Sequence, residues 1–156
     1  MREITEIAPG LTNASSPLEG VATAGQPDKK HLESLAEAGY KTVMDLRTTE
    51  ENRGFAEEEA VREAGMEYVN LPVGHETIDD DTFKRFRELM TDSGRRPALV
   101  HCSSANRVGA LLIPYLILDE GKSLEEAVET ASEVGLSSEE LKNRALEYAG
   151  GYEGRS

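Results

Sequence analysis

The feature that most constrains this chain is an apolar segment of strand length, followed by a small polar loop and then by a long apolar segment. Ala98–Val100 is short enough to be a buried strand, residues 102–106 are small and polar, and Val108–Leu118 is apolar almost throughout. This order predicts a strand, a tight loop and a buried helix. A strand that turns sharply into a helix directs backbone N–H groups and the positive end of the helix dipole into the loop. The stretch therefore predicts a loop that binds an anion.

Two reactive side chains flank that loop. Cys102, the only cysteine of the chain, lies at its entrance, and Arg107 lies at its exit. Backbone amides and a nearby guanidinium stabilise a thiolate, and a guanidinium can bind two oxygens of a tetrahedral oxyanion in a planar fork that lysine lacks. Attack by Cys102 on a bound phosphate would form a cysteinyl-phosphate, which water then hydrolyses. This chemistry needs no metal or other cofactor, because the loop itself neutralises the charge.

The sequence of His101-Cys102, a short loop, Arg107 and a helix resembles the active-site loop of the cysteine-dependent protein tyrosine and dual-specificity phosphatases. Four residues separate Cys102 from Arg107, one fewer than is usual, and this spacing is similar to that of a bacterial branch of the superfamily. Val108 follows the arginine at a position where the family usually has Ser or Thr, which assists the departure of the thiolate.

Two upstream segments extend the resemblance over roughly residues 20–120: Ala24-Gly25-Gln26-Pro27 and Val43–Arg47. The resemblance implies an α/β protein with a single-domain tyrosine-phosphatase-like fold, in which helices flank a central and mostly parallel sheet. We expect this domain to span residues 1–150, with a flexible tail at residues 151–156.

The resemblance also implies roles for individual residues. Cys102 would be the nucleophile, Arg107 would bind the anion and stabilise the transition state, and His101 would organise the loop through hydrogen bonds. The bound phosphate would contact the whole loop: His101, Ser103, Ser104, Ala105, Asn106 and Arg107. Three residues at neighbouring strand ends would support the site: Gln26, Asp45 and Arg47. An ion pair at the end of a strand explains Asp45 and Arg47 equally well.

Rapid cleavage of a phosphate ester also needs a proton for the departing oxygen. In the phosphatases an Asp supplies it from the loop that follows the strand before the cysteine strand. Here that loop spans Gly74–Asp81, and position along it favours His75 or Glu76. We assign the general acid to Glu76, with Asp79 as the second candidate, and we expect Asp80 or Asp81 to cap the next helix.

Two other functions are compatible with the loop. The rhodanese-like sulfurtransferases share the spacing of cysteine, four residues and arginine, and Met44-Asp45-Leu46-Arg47 is similar to their Asp-Val-Arg strand. They typically carry a Gly-His-Ile-Pro-Gly stretch after that strand, which this chain lacks. A phosphate-binding module without turnover is the other alternative, since the loop is short and Val108 replaces a hydroxyl residue.

Length and charge restrict the partners. A chain of 156 residues is sufficient for one domain with a core, and its formal net charge of −13 argues against a nucleic-acid partner. We expect a phosphorylated protein or a small phosphorylated molecule as the partner. The single cysteine suits a reducing, cytoplasmic location, and the longest apolar run is too short to cross a membrane. His31, His75 and His101 lack the spacing of metal ligands, so no metal site is expected.

The remaining pattern alternates strands with helices, which predicts parallel pairing in a sheet that is covered on both faces. Residues 3–15 are predicted to form a strand or hairpin, and the acidic run Glu57–Glu59 is predicted to lie on a solvated helix face. Ser137 and Glu140 are predicted to form the capping box of the last helix, which would end at Ala149.

Overall fold

A computed structural model describes residues 3–74 and 78–153 of the chain, with the backbone alone for residues 152 and 153. Its five strands form one sheet in the order β1, β2, β5, β3, β4. Only the β1–β2 pair is antiparallel. The sheet is therefore mostly parallel, as the sequence predicts. The strands are β1 (Ser15–Leu18), β2 (Val21–Ala24), β3 (Thr42–Asp45), β4 (Glu67–Asn70) and β5 (Ala98–His101).

Seven α-helices, counted over the described residues, cover the two faces of the sheet. Alternate residues of a strand point to opposite faces, so Val43 and Leu99 pack on one side while Met44 and Val100 pack on the other. The first side is covered by α1 (Ile4–Ile7), α2 (Lys29–Glu37) and α3 (Glu57–Glu63), and the second by α4 (Asp80–Thr91), α5 (Asn106–Leu118), α6 (Leu124–Val134) and α7 (Glu139–Glu153).

The two faces of the sheet have separate hydrophobic cores, and the larger one contains Met44 and Val100. Helix α5 forms its centre because the sequence of the helix is apolar on every side. Ten of its thirteen residues are buried, among them Arg107 at the start of the helix. It packs closely against α6 at Gly109, where a Cβ atom would lie 3.0 Å from the carbonyl oxygen of Ala131. None of the helices in the described ranges is both long and apolar enough to cross a membrane.

The structure differs from the sequence prediction at both ends of the chain. Residues 4–7 form a short helix, whose Ile4 and Ile7 are buried against the sheet, so the predicted hairpin over residues 3–15 is wrong. At the other end α7 continues to Glu153, so residues 151–153 of the predicted tail are helical. The N-terminal cap of α7 is Ser138, whose Oγ accepts from the N–H of Leu141, and not Ser137.

The carboxyl ends of four strands meet at one edge of the sheet, and this places the candidate site. The last paired residues form a continuous row across the sheet: Ala24, His101, Asp45 and Asn70. Strand β5 is central in this row, so the loop that follows His101 emerges between the ends of β2 and β3. Ligands of open α/β sheets commonly bind outside the carboxyl ends of the strands.

Candidate active site

Neighbouring residues hold the loop after β5 at three of its consecutive backbone carbonyl groups, those of Cys102, Ser103 and Ser104. His101 Nδ1 lies 3.2 Å from the carbonyl oxygen of Cys102, and the backbone N–H of Gln26 donates to the carbonyl of Ser103 at 3.1 Å. Asn13 Nδ2 donates to the carbonyl of Ser104 at 2.8 Å. Three different segments of the chain therefore hold the outward carbonyls of one short loop.

These three bonds fix the direction of the next three amides. In a planar trans peptide the N–H points away from the C=O, so each carbonyl that is held outside turns the following N–H to the opposite side. The amides concerned are those of Ser103, Ser104 and Ala105. The N–H of Ala105 donates to Cys102 Sγ at 3.1 Å. The loop thus directs amides towards the space above the thiol, as an oxyanion site requires.

Two glycines allow neighbouring segments to approach the loop closely. A Cβ atom on Gly25 would lie 2.5 Å from the carbonyl oxygen of Ser103, and one on Gly135 would lie 3.2 Å from that of Ser104. Gly25, which a simple turn could explain in the sequence, is therefore required by the approach of Gln26 to the loop. Ala105 itself adopts φ 75°, a left-handed conformation that is unusual for a residue other than glycine.

Cys102 is fully buried at the base of the loop. The position that usually carries a hydroxyl residue is occupied by Val108, which is also fully buried and belongs to the same apolar cluster as Cys102. The hydrogen-bond donor to the thiol is instead the backbone N–H of Ala105. Although Val108 supplies no hydroxyl group, the sulfur of Cys102 therefore still has a hydrogen-bond donor from the main chain.

Arg107 is buried beside the loop, and a carboxylate holds its guanidinium. Its Nη1 and Nη2 donate to the two oxygens of Glu51, each at 2.9 Å, and Nη1 also donates to the carbonyl of Val73 at 2.8 Å. Two further N–H groups of the guanidinium, on Nε and Nη2, make none of these three bonds. They are the donors that an oxyanion above Cys102 could use.

The Glu51–Arg107 pair shifts the pKa values of both partners. Burial alone would lower the pKa of Arg107, but its hydrogen bonds to Glu51 and its interactions with Cys102 outweigh burial and raise that pKa. The hydrogen bond from Arg107 is the largest cause that holds the pKa of Glu51 well below its ordinary range. Glu51 also accepts from Arg47 Nε at 2.9 Å and from the N–H of Thr48 at 2.8 Å. One ionised carboxylate thus joins both arginines.

Behind the loop lies a second group of polar side chains. His101 Nε2 lies 2.5 Å from Glu57 Oε2, and Gln26 Nε2 donates to Glu57 Oε1 at 2.5 Å. Gln26 Oε1 in turn accepts from Arg47 Nη1 at 2.9 Å. Glu57 is 2% exposed, so the prediction that it lies on a solvated face is wrong, whereas Glu58 and Glu59 are exposed as predicted. Glu57 is the first residue of α3, and its side chain points inward to His101 and Gln26.

Asp45 is the third acidic group at this strand edge and is fully buried. It accepts from Arg53 Nε at 2.5 Å, from the hydroxyl of Tyr68 at 2.6 Å and from the N–H of Arg47 at 2.9 Å. Burial would raise the pKa of Asp45, but His101 and these donors together lower it. Asp45 therefore pairs with Arg53, and Arg47 pairs with Glu51, so the predicted ion pair between Asp45 and Arg47 is replaced by two others.

Asp45, Glu57 and His101 bring donor atoms within 4.8 Å of one another, a geometry that could hold a cation. Each of the three already accepts or shares a proton with a neighbouring side chain. A cation at this position would also face the guanidinium of Arg53. The residues present therefore fit a hydrogen-bonded network better than a metal site.

The other predicted loop residues divide into two exposed serines and one asparagine that bonds to a neighbouring segment. Ser103 and Ser104 are exposed at the mouth of the loop. Asn106 faces the neighbouring segment, because its Oδ1 accepts from the N–H groups of Ser137 and Ser138 at 3.0 and 3.3 Å. It joins the start of α5 to the start of α7.

The two favoured general-acid candidates, His75 and Glu76, lie outside the described residues. The second choice, Asp79, caps α4: its Oδ1 accepts from the N–H of Thr82 at 2.8 Å and from the Thr82 hydroxyl at 2.7 Å. These bonds lower the pKa of Asp79, the side-chain bond most strongly, which makes it a poorer proton donor. The sequence predicts this cap at Asp80 or Asp81, and the structure places it one or two residues earlier, at Asp79.

Three residues that sequence reasoning did not select contact the site: Asn13, Glu51 and Glu57. A signal existed for an acidic partner, because residues 94–118 contain no acidic residue while Arg107 lies at the start of a buried helix. A buried arginine must be paired, but 30 acidic residues are available elsewhere, and the sequence alone does not select Glu51 among them.

Comparison with known proteins gives relatives that are similar in sequence. The chain is 29% identical over 139 residues to the beta-lactamase hydrolase-like protein of Xylella fastidiosa (strain Temecula1), which covers 83% of this chain and 32% of that protein. It is 30% identical over 105 residues to the protein of the same name from Agrobacterium fabrum, covering 65% of this chain and 24% of that protein. The chain thus spans about a third or less of the length of these curated relatives.

Several solved structures have the same fold at low sequence identity. The active form of Tk-PTP matches with a TM-score of 0.77 at 18% identity, over 88% of this chain and 97% of that one. PTPMT1 in complex with PI(5)P gives 0.75 at 16%, over 91% and 97%. TpbA from P. aeruginosa in complex with pTyr gives 0.66 at 21%, over 88% and 82%.

A family profile covers most of the chain. Residues 13–148 match the profile described as DSP-PTPase phosphatase fused to NAD+ kinase, and this range includes Asn13, Glu51, Glu57 and the whole loop from Cys102 to Arg107. The chain belongs to this family of dual-specificity and tyrosine phosphatase-like domains.

Proposed function

We propose that this protein hydrolyses phosphate monoesters, with Cys102 as the nucleophile and without a metal ion. The observation behind the proposal is the arrangement at the end of β5. A buried thiol receives a backbone N–H at 3.1 Å, the carbonyls that precede three consecutive amides are held outside, and a buried guanidinium lies beside the thiol. This arrangement offers a nucleophile and the donors for three phosphate oxygens in one place.

The reaction has two displacements. The Cys102 thiolate attacks phosphorus, so an S–P bond forms while the P–O bond to the leaving group breaks, and the departing oxygen takes a proton. Water then attacks phosphorus, the S–P bond breaks, and orthophosphate leaves as the thiolate is regenerated. Arg107 and the amides of Ser103 and Ser104 bind the equatorial oxygens in both steps, while the N–H of Ala105 stays with the sulfur.

The proton for the leaving oxygen is assigned to Glu76. Its loop follows Val73, whose carbonyl is bonded to Arg107, so the loop starts at the side of the site. We expect Glu76→Gln to slow the hydrolysis of alkyl phosphates far more than that of p-nitrophenyl phosphate, because only a poor leaving group needs the proton. Equal effects on both substrates would remove Glu76 from this role.

The substrate is expected to be a phosphorylated protein side chain or a small phosphorylated molecule. Support comes from two structures with the same fold, which hold pTyr and PI(5)P respectively. The rhodanese-like alternative and a module that binds phosphate without turnover share the loop, so the experiment must separate all three.

The test compares two reactions in the presence of a chelator. The purified protein is incubated with p-nitrophenyl phosphate, phosphotyrosine peptide and PI(5)P, and separately with thiosulfate and cyanide, with Cys102→Ser as the control. We expect phosphate release that Cys102→Ser abolishes. Formation of thiocyanate would identify a sulfurtransferase, and orthophosphate binding without either reaction would identify a binding module.

A further inference from the structure

We propose that Glu57 is a positioning residue for the anion loop: it fixes the ring of His101, so that His101 Nδ1–H holds the carbonyl of Cys102 and the N–H of Ser103 faces the bound anion. The proposal rests on the function proposed above and extends it to a residue of α3, 44 positions before His101 in the chain.

The two contacts of the imidazole determine where its protons lie. Nδ1 lies 3.2 Å from a backbone carbonyl, which can only accept, so Nδ1 must carry a proton. Nε2 lies 2.5 Å from Glu57 Oε2, and one proton is shared along that contact. The ring and the carboxylate together hold two protons, one on Nδ1 and one in the contact with Glu57, so Nε2 is occupied by Glu57 while Nδ1–H meets the carbonyl of Cys102. Without Glu57, a neutral ring would carry one proton, which could lie on Nε2 and leave Nδ1 without a donor for the carbonyl.

Glu57 is well suited to this role because it is itself held in place. It is 2% exposed, and its second oxygen accepts from Gln26 Nε2 at 2.5 Å. Gln26 also donates its backbone N–H to the carbonyl of Ser103. One carboxylate therefore connects the supports of two adjacent loop carbonyls, those of Cys102 and Ser103.

Among the described residues, the other charged and titratable groups near His101 and Glu57 are paired with each other. Asp45 Oδ1 lies 3.9 Å from His101 Nε2, and Asp45 is bonded to Arg53 and to the hydroxyl of Tyr68. Burial and the bond to Asp45 raise the pKa of Tyr68, so that hydroxyl keeps its proton. Arg53 compensates the charge of Asp45, which leaves Glu57 as the partner of His101.

The consequence for the loop follows from peptide geometry. The Cys102–Ser103 peptide is planar, so a carbonyl held by His101 directs the N–H of Ser103 to the other side. If His101 releases the carbonyl, the peptide can rotate and remove one donor from the anion site. Small displacements of such donors cost enzymes large factors in rate.

Two substitutions at Glu57 separate positioning from a merely structural role. Glu57→Ala removes the partner of His101, and we expect kcat/KM for p-nitrophenyl phosphate to fall on the order of 100-fold. Glu57→Gln can still accept from Gln26 and donate to His101 Nε2, which keeps the proton on Nδ1. We expect this variant to lie within about tenfold of the wild type, the difference between a charged and a neutral hydrogen bond.

The matched control is Glu59→Ala, on the exposed face of the same helix, which should keep wild-type kinetics. Thermal melting identifies the folded variants. If Glu57→Ala is folded and keeps wild-type kcat/KM, the proposal is overturned. It is also overturned if Glu57→Gln is folded and loses as much activity as Glu57→Ala, since a conservative amide should restore the ring.

A spectroscopic readout does not depend on a folded Glu57 variant. Nitrogen-15 NMR of the wild type, with His31→Gln and His75→Gln used to assign the three histidines, reports the proton on each ring nitrogen of His101. We expect Nδ1 to be protonated in the wild type, and an unprotonated Nδ1 would overturn the proposal. Affinity for orthophosphate, measured by calorimetry, should fall in Glu57→Ala and not in Glu59→Ala, and this readout applies even if no phosphate ester is hydrolysed.

Discussion

At the scale of single residues, the site is defined by buried charges that are held in pairs. Arg107 is 1% exposed and would be costly to bury alone, but Glu51 contacts both terminal nitrogens of its guanidinium. The planar fork lets one side of the guanidinium face Glu51 while the other faces the thiol. A lysine at this position has one nitrogen and cannot serve both sides.

We therefore expect Arg107→Lys to cost about 2–4 kcal/mol in transition-state stabilisation, measured as the fall in kcat/KM for p-nitrophenyl phosphate. Arg62→Lys is the matched control, because Arg62 forms an exposed ion pair with Glu58 at 2.8 Å. Its kinetics should remain those of the wild type. A folded Arg107→Lys variant with full activity would indicate that Arg107 serves the structure alone.

At the scale of elements, the loop keeps its shape because neighbouring segments approach it without side chains in between. Gly25 follows β2 and lets its own backbone lie against Ser103. Its N–H donates to the carbonyl of Thr12 at 2.8 Å, and the next residue, Gln26, donates to Ser103. The segment after β2 thus joins the residues before β1 to the anion loop.

We expect Gly25→Ala to displace the Ser103 carbonyl, because the new Cβ would lie 2.5 Å from it and the contact involves main-chain atoms that cannot rotate away. Affinity for orthophosphate and kcat/KM should both fall about tenfold or more. Gly150→Ala is the control, since a Cβ there meets nothing within 4 Å. Unchanged orthophosphate affinity in folded Gly25→Ala would show that the loop does not depend on this approach.

The elements also show what a sequence can predict. Strand β5, the loop and α5 are contiguous, so the order of apolar and polar segments along the chain predicts them. Parallel pairing of the strands then places the ends of β2 and β3 beside the loop. The supports from Asn13, Glu51 and Glu57 depend on contacts across 91, 56 and 44 residues of sequence. Glu57 adjoins two exposed glutamates, so the run predicts a solvated face, yet Glu57 is buried where it meets His101 and Gln26.

At the scale of the whole molecule, the acidic surface and the buried site respond differently to pH. The formal charge of −13 comes from 30 acidic residues, most of which lie in solvent. Glu51 differs, because its hydrogen bond from Arg107 holds its pKa well below the ordinary value of 4.5. A carboxyl whose pKa is lower in the folded than in the unfolded chain stabilises the fold above the unfolded pKa. That contribution is lost as pH falls towards the folded pKa.

We expect the free energy of unfolding of the wild type to fall from about pH 5 to about pH 3 more steeply than that of Glu51→Gln, as measured by denaturant titration. Above about pH 5 the variant should be the less stable of the two. Glu58→Gln, at an exposed carboxylate, should follow the wild type throughout. Parallel curves for the wild type and Glu51→Gln would contradict the strong pairing of Glu51 with Arg107.

Attack by Cys102 on a bound phosphate leaves a phosphorylated cysteine, and this intermediate can be trapped. The protein is mixed with p-nitrophenyl phosphate, quenched in acid within milliseconds, digested and analysed by mass spectrometry. We expect phosphate on the peptide that contains Cys102, formed at least as fast as turnover. We also expect no such adduct and no turnover in Cys102→Ser, which should still bind orthophosphate through the loop amides and Arg107. Turnover by the wild type without phosphorylated Cys102, or turnover by Cys102→Ser, would rule out a covalent intermediate on Cys102.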